Sequence, residues 1–498
     1  MNVMAPIRKA NVSQTVEHFD VLIVGAGISG IGSAYQLAKN LPNRSFVILE
    51  SQESFGGTWR THRYPGIRSD SDLHTFGYSF KPWVGPPIAT ADEILAYMGE
   101  VIAENDLGRH IRYGHRIVSA SWSSTTNLWT IEAVKGEQPV HITANFLWMC
   151  QGYYRHSEGY TPEWPGMADF NGRIVHPQRW PEDIDLEDKK VVVIGSGATA
   201  ATLIPSIANR CAGVTMLQRS PTYFRIGRNV IELAEELRRL QVKEEWIHEI
   251  VRRKILFEQD AFTKLCLAKP EKVAQELIGQ ISAIVGAEYA AKHFTPTYRP
   301  WRQRLAFLPN ADLFEGIRDG KVSVVTDEIE RFTDAGIRLK SGDELQADVI
   351  VTATGFNLCM LGDIAFTIDG EPLDFGKTVT YRGMMFTGVP NMAWVFGYFR
   401  ASWTLRTDLV ADFVCRLLSH MEAKGVRKVM PALRPEDHNM PQLPWIDPEN
   451  FNPGYMMRDM HLLPKRGDKP EWQHSQDYWA EKDQIPAIDL DDKAFVYG

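Results

Sequence analysis

Two stretches of this 498-residue chain follow one pattern: an apolar run, a glycine-rich turn, then a helix-spaced segment. The first, FDVLIVGAGISG, starts at Phe19 and continues as IGSAYQLAKN. The second, KKVVVIGSGATA, starts at Lys189 and continues as ATLIPSIANR. In the first, Gly25 permits a tight turn, Gly27 lets a pyrophosphate approach the backbone, and Gly30 lets the helix pack closely on the strand. Gly195, Gly197 and the small Ala200 occupy the same places in the second. Each helix would then turn its partial positive N-terminus toward phosphates. The predicted fold class is α/β, with two Rossmann-like dinucleotide-binding domains. Length agrees, since one hydrophobic core stops growing at roughly 250 to 300 residues.

The strands that follow the two helices end differently. SFVILE closes on Glu50, whose carboxylate can accept hydrogen bonds from both hydroxyls of a ribose, as in FAD. GVTMLQRS carries Gln218, Arg219 and Ser220, and an arginine there grips the 2′-phosphate of NADPH that a carboxylate would repel. One charge-assisted contact contributes about 1.5 to 3 kcal/mol, roughly a 10- to 150-fold preference for NADPH over NADH. Ser196 and Thr199 complete the second cofactor-binding set. Two dinucleotides in one chain imply hydride transfer from nicotinamide to flavin.

Composition removes other classes of function. A net charge of -8 argues against a nucleic-acid partner, which needs a clustered basic face. No run reaches the roughly 18 apolar residues of a transmembrane segment. Residues 1–18 lack the apolar core of a secretory signal and read as a loose arm, so the expected location is cytoplasmic. The five cysteines are scattered without a C-x-x-C pair, which speaks against a disulfide framework and a thiol redox centre, and no metal site is expected.

Two further segments carry a resemblance. GGTWRTHRYPGIRSDSDLHTFGYSFKPW, residues 56–83, is rich in glycine, aromatics and arginine, and FNGRIVHPQRWPE, residues 170–182, is neither a clean helix nor a clean strand. Together they resemble the Baeyer-Villiger monooxygenases among the class B flavoprotein monooxygenases. The family's long fingerprint is met by Gly56, Gly57, Trp59, Tyr64, Pro65, Gly66 and Asp70, and the short one by Phe170, Gly172, His176, Trp180 and Pro181. Trp180 and Pro181 favour this branch over the sister N- and S-monooxygenases. The likeness runs from about residue 19 to at least 460 and looks closest to a branch associated with oxygenating ketones and sulfur compounds.

The resemblance implies that reduced FAD and molecular oxygen give a C4a-peroxyflavin anion that converts ketones to esters or lactones, with sulfides oxidised to sulfoxides. It implies a catalytic Arg304, in WRQRLAFLPNADLF, with Asp70 orienting it. Arg299 and Arg302 lie near in sequence, and Gln303 stands where many relatives have lysine. Gly57, Thr58 and Trp59 would line the flavin site, and Thr199, Gln218 and Arg219 would retain NADP+. The short fingerprint would act as a coupling hinge. A heteroatom monooxygenase is the second reading, and an NADPH-dependent flavin reductase the third. The sequence leaves the oligomeric state open.

The expected division is residues 1–152 for the first part of the FAD domain and 153–350 for the NADPH domain. Residues 351–498 hold the second FAD part and a tail, entered through TATGFN at 352–357. Residues of about 229–292 have helical spacing and read as an insert that forms helix–helix core or lines a substrate entrance. After 430 periodicity fades, and the tail reads as a surface wrap.

Overall fold

The computed structural model describes residues 16–498. Most of the predicted N-terminal arm lies outside these residues, but strand β1 (Glu17–Val24) begins inside it, with Arg112 gripping Glu17 through contacts of 2.6 and 2.7 Å. Helix α1 (Ile28–Asn40) and strands β2 (Phe46–Leu49), β3 (Ile111–Arg112), β4 (His115–Ser123), β5 (Leu128–Lys135) and β6 (Gln138–Met149) follow. β1 lies between β2 and β6, parallel to both. Its continuous apolar run has a physical reason: Val21 and Ile23 enter one core, Leu22 and Val24 the other. A parallel strand covered on both faces has no polar side to show.

Among the described residues this first sheet has nine strands, because the chain returns to it late. Ala365–Ile368 pairs with β4 and Met392–Trp394 with the end of β6, both in parallel. Between the two visits stands a second sheet, built from β8 (Arg173–Val175), β9 (Lys190–Ile194), β10 (Gly213–Gln218), Val322–Thr326 and Val349–Thr352. All its pairings are parallel, and helix α2 (Ala198–Ile207) follows β9 as α1 follows β1. The two connecting segments pair with each other: strand β7 (Tyr154–Gly159) runs antiparallel to Phe356–Leu358.

The stretch between β10 and Ala306–Pro309 holds the helices Glu232–Arg239, Glu244–Ala268, Pro270–Val285 and Ala287–His293. Arg252 fixes the longest of these to the first domain. Its buried Nη1 donates to the carbonyls of His74, Thr75 and Gly77 at 2.9, 3.2 and 3.1 Å.

The tail differs from its expectation. It does not merely wrap the surface: Trp445, Phe451 and Met456 are buried in one core of the first sheet, and Trp472, Ile485 and Phe495 in the other. Each aromatic side chain is delivered singly by loop or by an element of only three residues, which leaves no period to detect. No helix of the described residues is long and apolar enough to cross a membrane.

Candidate active site

The first glycine loop fits a dinucleotide in detail. Gly25 adopts φ +95°, and a Cβ on Gly30 would lie 1.9 Å from the Gly25 carbonyl oxygen. Gly27 starts α1, where a Cβ would meet only the Gly57 Cα, at 3.8 Å. Glu50 is buried at the end of β2, and its two carboxylate oxygens accept from the N–H groups of Ala26 (2.7 Å) and Gln52 (2.8 Å). A carboxylate has about four lone-pair directions, so capacity remains for ribose hydroxyls. Burial raises the Glu50 carboxyl above its ordinary pKa against those hydrogen bonds. Beside the loop, both side-chain polar atoms of Gln151 are buried without a hydrogen-bond partner. That orphaned amide fits a polar ligand at this place.

The second loop is more open. Gly195 adopts φ +127°, and a Cβ there would lie 2.3 Å from the Ala353 carbonyl, whereas nothing stands within 4 Å of a Cβ on Gly197. Ser196 shares a 2.7 Å hydrogen bond with Thr222. Arg219 and Ser220 are exposed just past β10, and Arg219 has no ion-pair partner among the described residues. Gln218 is differently placed: it is buried, and its Nε2 donates to the His293 carbonyl at 2.6 Å and to Thr326 Oγ1 at 2.9 Å.

The long fingerprint spans both loops. Gly56 N–H donates to the Ala26 carbonyl at 3.0 Å, and Gly57, at φ +53°, lies close over Gly27. Thr58 and Trp59 open a short helix there, with Trp59 set edge-on to Phe76. Farther on, Tyr64 enters the core of the second sheet, and the Pro65 carbonyl accepts from Ser206 on α2 at 2.9 Å. A Cβ on Gly66 would lie 2.6 Å from the Ser206 Cβ, so the segment seats directly against α2. One stretch therefore seals the first loop and docks on the second helix.

The same stretch delivers Asp70 to Arg304. The guanidinium donates through Nε and Nη2 to the two carboxylate oxygens, both at 2.6 Å. This bidentate arrangement fixes the plane of the arginine. Burial works to raise the Asp70 carboxyl, but the Arg304 charge and hydrogen bonds outweigh it and hold the carboxyl below its ordinary value. Arg302 instead pairs with Glu449 at 2.9 Å, and Arg299 donates to Asn450, so the neighbouring arginines are turned elsewhere. Arg304 and Asp70 line a cavity of about 300 Å³ whose other walls include Phe399, Trp301, Phe307 and, from the insert, Ile255 and Phe262. The insert thus serves both as helical core and as cavity wall. A larger groove, about 950 Å³, lies at the N-terminal end of β1 beside His18, Asp20 and Asn40. Ligands of open α/β sheets bind at the opposite, C-terminal ends of the strands.

The short fingerprint stands at the paired connections. His176 Nδ1 accepts from Gln178 N–H at 3.1 Å, so Nε2 carries the proton and donates to the Gly355 carbonyl at 3.2 Å. Burial lowers the His176 pKa, leaving a neutral ring that holds the first connection, through Gly159, against the second. Phe170 is buried with Phe332, Gly172 lies against the Asp348 carbonyl, and Trp180 packs on the second core. Pro181 follows, half-buried.

Three residues escaped the sequence reading. Gln151 is one; Tyr153 and Tyr455 are the others, both near enough to Arg304 to act on its charge. Tyr153 shares a 2.6 Å hydrogen bond with Tyr154 and stacks on Trp403. The only signal was the aromatic pair directly after β6.

Two glycine cradles and a paired arginine beside a small cavity define a flavin- and nicotinamide-dependent oxidoreductase. Residues 23–84 match the family described as NAD(P)-binding Rossmann-like domain. FAD-containing monooxygenase EthA of Mycobacterium tuberculosis (strain ATCC 25618 / H37Rv) is 46% identical over 484 residues, 97% of this chain and 98% of the relative. Among solved structures, oxidized steroid monooxygenase bound to NADP superposes with a TM-score of 0.76 at 24% identity, covering 96% of this chain and 99% of that one. Cyclohexanone monooxygenase bound to epsilon-caprolactone gives 0.74 at 21% identity, with 97% and 100% covered. The structures share the fold, and the chain belongs to the family of the FAD-containing monooxygenases.

Proposed function

We propose that this protein is an NADPH-dependent Baeyer-Villiger monooxygenase that uses FAD and molecular oxygen to convert ketones to esters or lactones, and that it also oxidises sulfides to sulfoxides. The observation that carries this reading is the bidentate Arg304–Asp70 pair on a cavity wall, with Asp70 delivered by the stretch that seats on the first glycine loop and on α2. FAD, when bound, supplies oxygen activation, and NADPH supplies the hydride. Gly25, Gly27, Gly30, Glu50, Gly57, Thr58, Trp59 and Gln151 would hold the flavin. Gly195, Ser196, Gly197, Thr199, Arg219 and Ser220 would hold the nicotinamide coenzyme.

Arg304 keeps its charge throughout, because a guanidinium cannot surrender its proton here and Asp70 raises its pKa further against burial. A fixed cation on a protein wall stabilises negative charge on a reacting oxygen more than one in bulk water. Asp70 positions it, and the aromatic side chains of the cavity wall, Phe262, Trp301, Phe307 and Phe399, limit water. Residues 1–152 and 351–498 would form the flavin domain, 153–350 the coenzyme domain, and the cytoplasm is the proposed location. A heteroatom role keeps its place because the branch that the sequence resembles is associated with sulfur compounds as well as ketones.

Product analysis tests the reading. FAD-loaded enzyme with NADPH and oxygen should turn an alkyl aryl ketone into its ester with little hydrogen peroxide. Sulfoxide from an aryl alkyl sulfide with no ester from any ketone would select the heteroatom reading, and peroxide alone would reopen the reductase. Arg219→Ala should raise the NADPH KM by about 10- to 150-fold, the loss of one charge-assisted contact, with little change for NADH. Equal losses for both coenzymes would remove its phosphate role.

A further inference from the structure

We propose that Arg225 seats an anionic group of the substrate, so that the preferred substrates are ketones or sulfides that also carry a carboxylate. This rests on the reading of Arg304 given above, because both arginines line the same cavity.

The argument starts from the charges around that cavity. Asp70 is taken by Arg304, Glu258 by Lys254, and Arg228 by Glu232, while Asp72 accepts from the His74 N–H at 2.8 Å. Arg225 and Arg400 are left with no carboxylate within ion-pair distance among the described residues. Arg400 and Arg299 direct their guanidinium groups to the main chain and side chain of Asn450, which carry no charge. The Nε of Arg400 is buried without a partner, and burial together with Arg299 pushes Arg400 down to about 10. All three arginines act on the Cys266 thiol, so they gather around one spot. One wall of the cavity therefore carries two arginines, Arg225 and Arg400, that make no ion pair among the described residues.

Arg225 is the member suited to a ligand. A surface arginine runs its stem along apolar groups and puts its head in water. Arg225 instead is half-buried, with its guanidinium carbon over the Phe262 ring at 4.7 Å from the centroid. The cation–π contact holds the head in place, and among the described residues no hydrogen bond uses its five donors. Burial lowers its pKa, with Glu258 opposing, so an arriving anion would relieve a cost already present in the fold. A carboxylate matches the fork in shape as well as charge. It would be read at one wall while Arg304 serves the reacting carbonyl or sulfur elsewhere on the same cavity.

The test uses FAD-loaded enzyme and two ketones of equal length, 7-oxooctanoate and 2-octanone, with octanoate binding measured separately by calorimetry. The wild type should favour the keto acid in kcat/KM by about 10- to 150-fold, the range for one charge-assisted contact. Arg225→Met should erase that ratio and abolish octanoate binding, and Arg225→Lys should keep part of both. FAD content and Tm report whether each variant folds, and Arg225→Gln replaces Met if it does not. Octanoate binding equally to wild type and Arg225→Met would overturn the proposal, as would a wild-type preference for 2-octanone. A higher NADPH KM in Arg225→Met with octanoate binding intact would overturn it too, and assign the arginine to coenzyme phosphate. If neither ketone yields ester while octanoate binding still depends on Arg225, the anion seat stands and the Baeyer-Villiger reading falls.

Discussion

Arg304→Ala should leave an enzyme that binds FAD and accepts hydride from NADPH but forms oxygenated product about 10³-fold more slowly or worse, with NADPH oxidation diverted to hydrogen peroxide. Removing one preorganised donor from a developing negative charge costs on the order of 10²- to 10³-fold. Here a full positive charge is lost, and the Asp70 carboxylate that it neutralised remains at the cavity wall, 24% exposed and of the wrong sign. Both effects oppose an anionic oxygen. Breaking a buried pair costs about 3 to 5 kcal/mol of stability, and this one, with Arg304 39% exposed, should lose less. Arg304→Ala/Asp70→Ala should therefore recover Tm without recovering product. Arg304→Lys keeps charge but not the two-pronged contact, so it should fall between. Because the Asp70 carboxyl sits below its ordinary value, the pair's stabilisation is complete above the unfolded carboxyl's pKa, roughly 3.9, and is lost only as pH falls through the lower folded value. Activity changes near neutral pH thus arise elsewhere. Product formed at the wild-type rate by Arg304→Ala would transfer the role to Arg299 or Arg302.

How much of this was legible in the sequence follows from how local each requirement is. A strand, a glycine turn and a helix are contiguous, and their glycines are demanded by atoms a few residues away, as Gly30 is by Gly25. Arg304 and Asp70 are separated by 234 positions, and no spacing rule joins them; only the resemblance did. The docking of Tyr64, Pro65 and Gly66 on α2 was hidden for the same reason, since Ser206 is 141 residues from Pro65. Gln218 shows a different limit. Its place at the end of β10 is right for a coenzyme contact, but its amide is buried and bonded to His293 and Thr326, and a strand position alone does not reveal which face a side chain serves. Arg225 was invisible because its meaning depends on what fails to pair with it.

Gly30→Ala should yield a protein without flavin, its absorbance near 450 nm lost, while Gly197→Ala should keep flavin and fold yet lose NADPH affinity. The two glycines stand at different places of corresponding loops, Gly30 at the third position and Gly197 at the second, and the space around them differs. A Cβ on Gly30 would lie 1.9 Å from the Gly25 carbonyl oxygen and 3.0 Å from its carbon, and these are main-chain atoms. That carbonyl has little room to yield, because Gly25 N–H is held by the Leu49 carbonyl at 2.8 Å and the turn already sits at φ +95°. Overpacking of this kind costs about 1 to 3 kcal/mol even where neighbours can relax, and a displacement of roughly 1 Å suffices to spoil a site. Gly197 has φ -77° and nothing within 4 Å of its added Cβ, so alanine fits the protein without strain. Such an exchange stabilises by about 0.4 to 1 kcal/mol through the unfolded chain, so Tm should hold or rise. What the methyl would occupy is the approach to the start of α2, where a pyrophosphate needs bare backbone. Flavin content, Tm and NADPH KM, measured on both variants, separate a glycine required by the fold from one required by the ligand. Full flavin in Gly30→Ala would show that the first loop is not the flavin cradle, and an unchanged NADPH KM in Gly197→Ala would move the coenzyme away from α2.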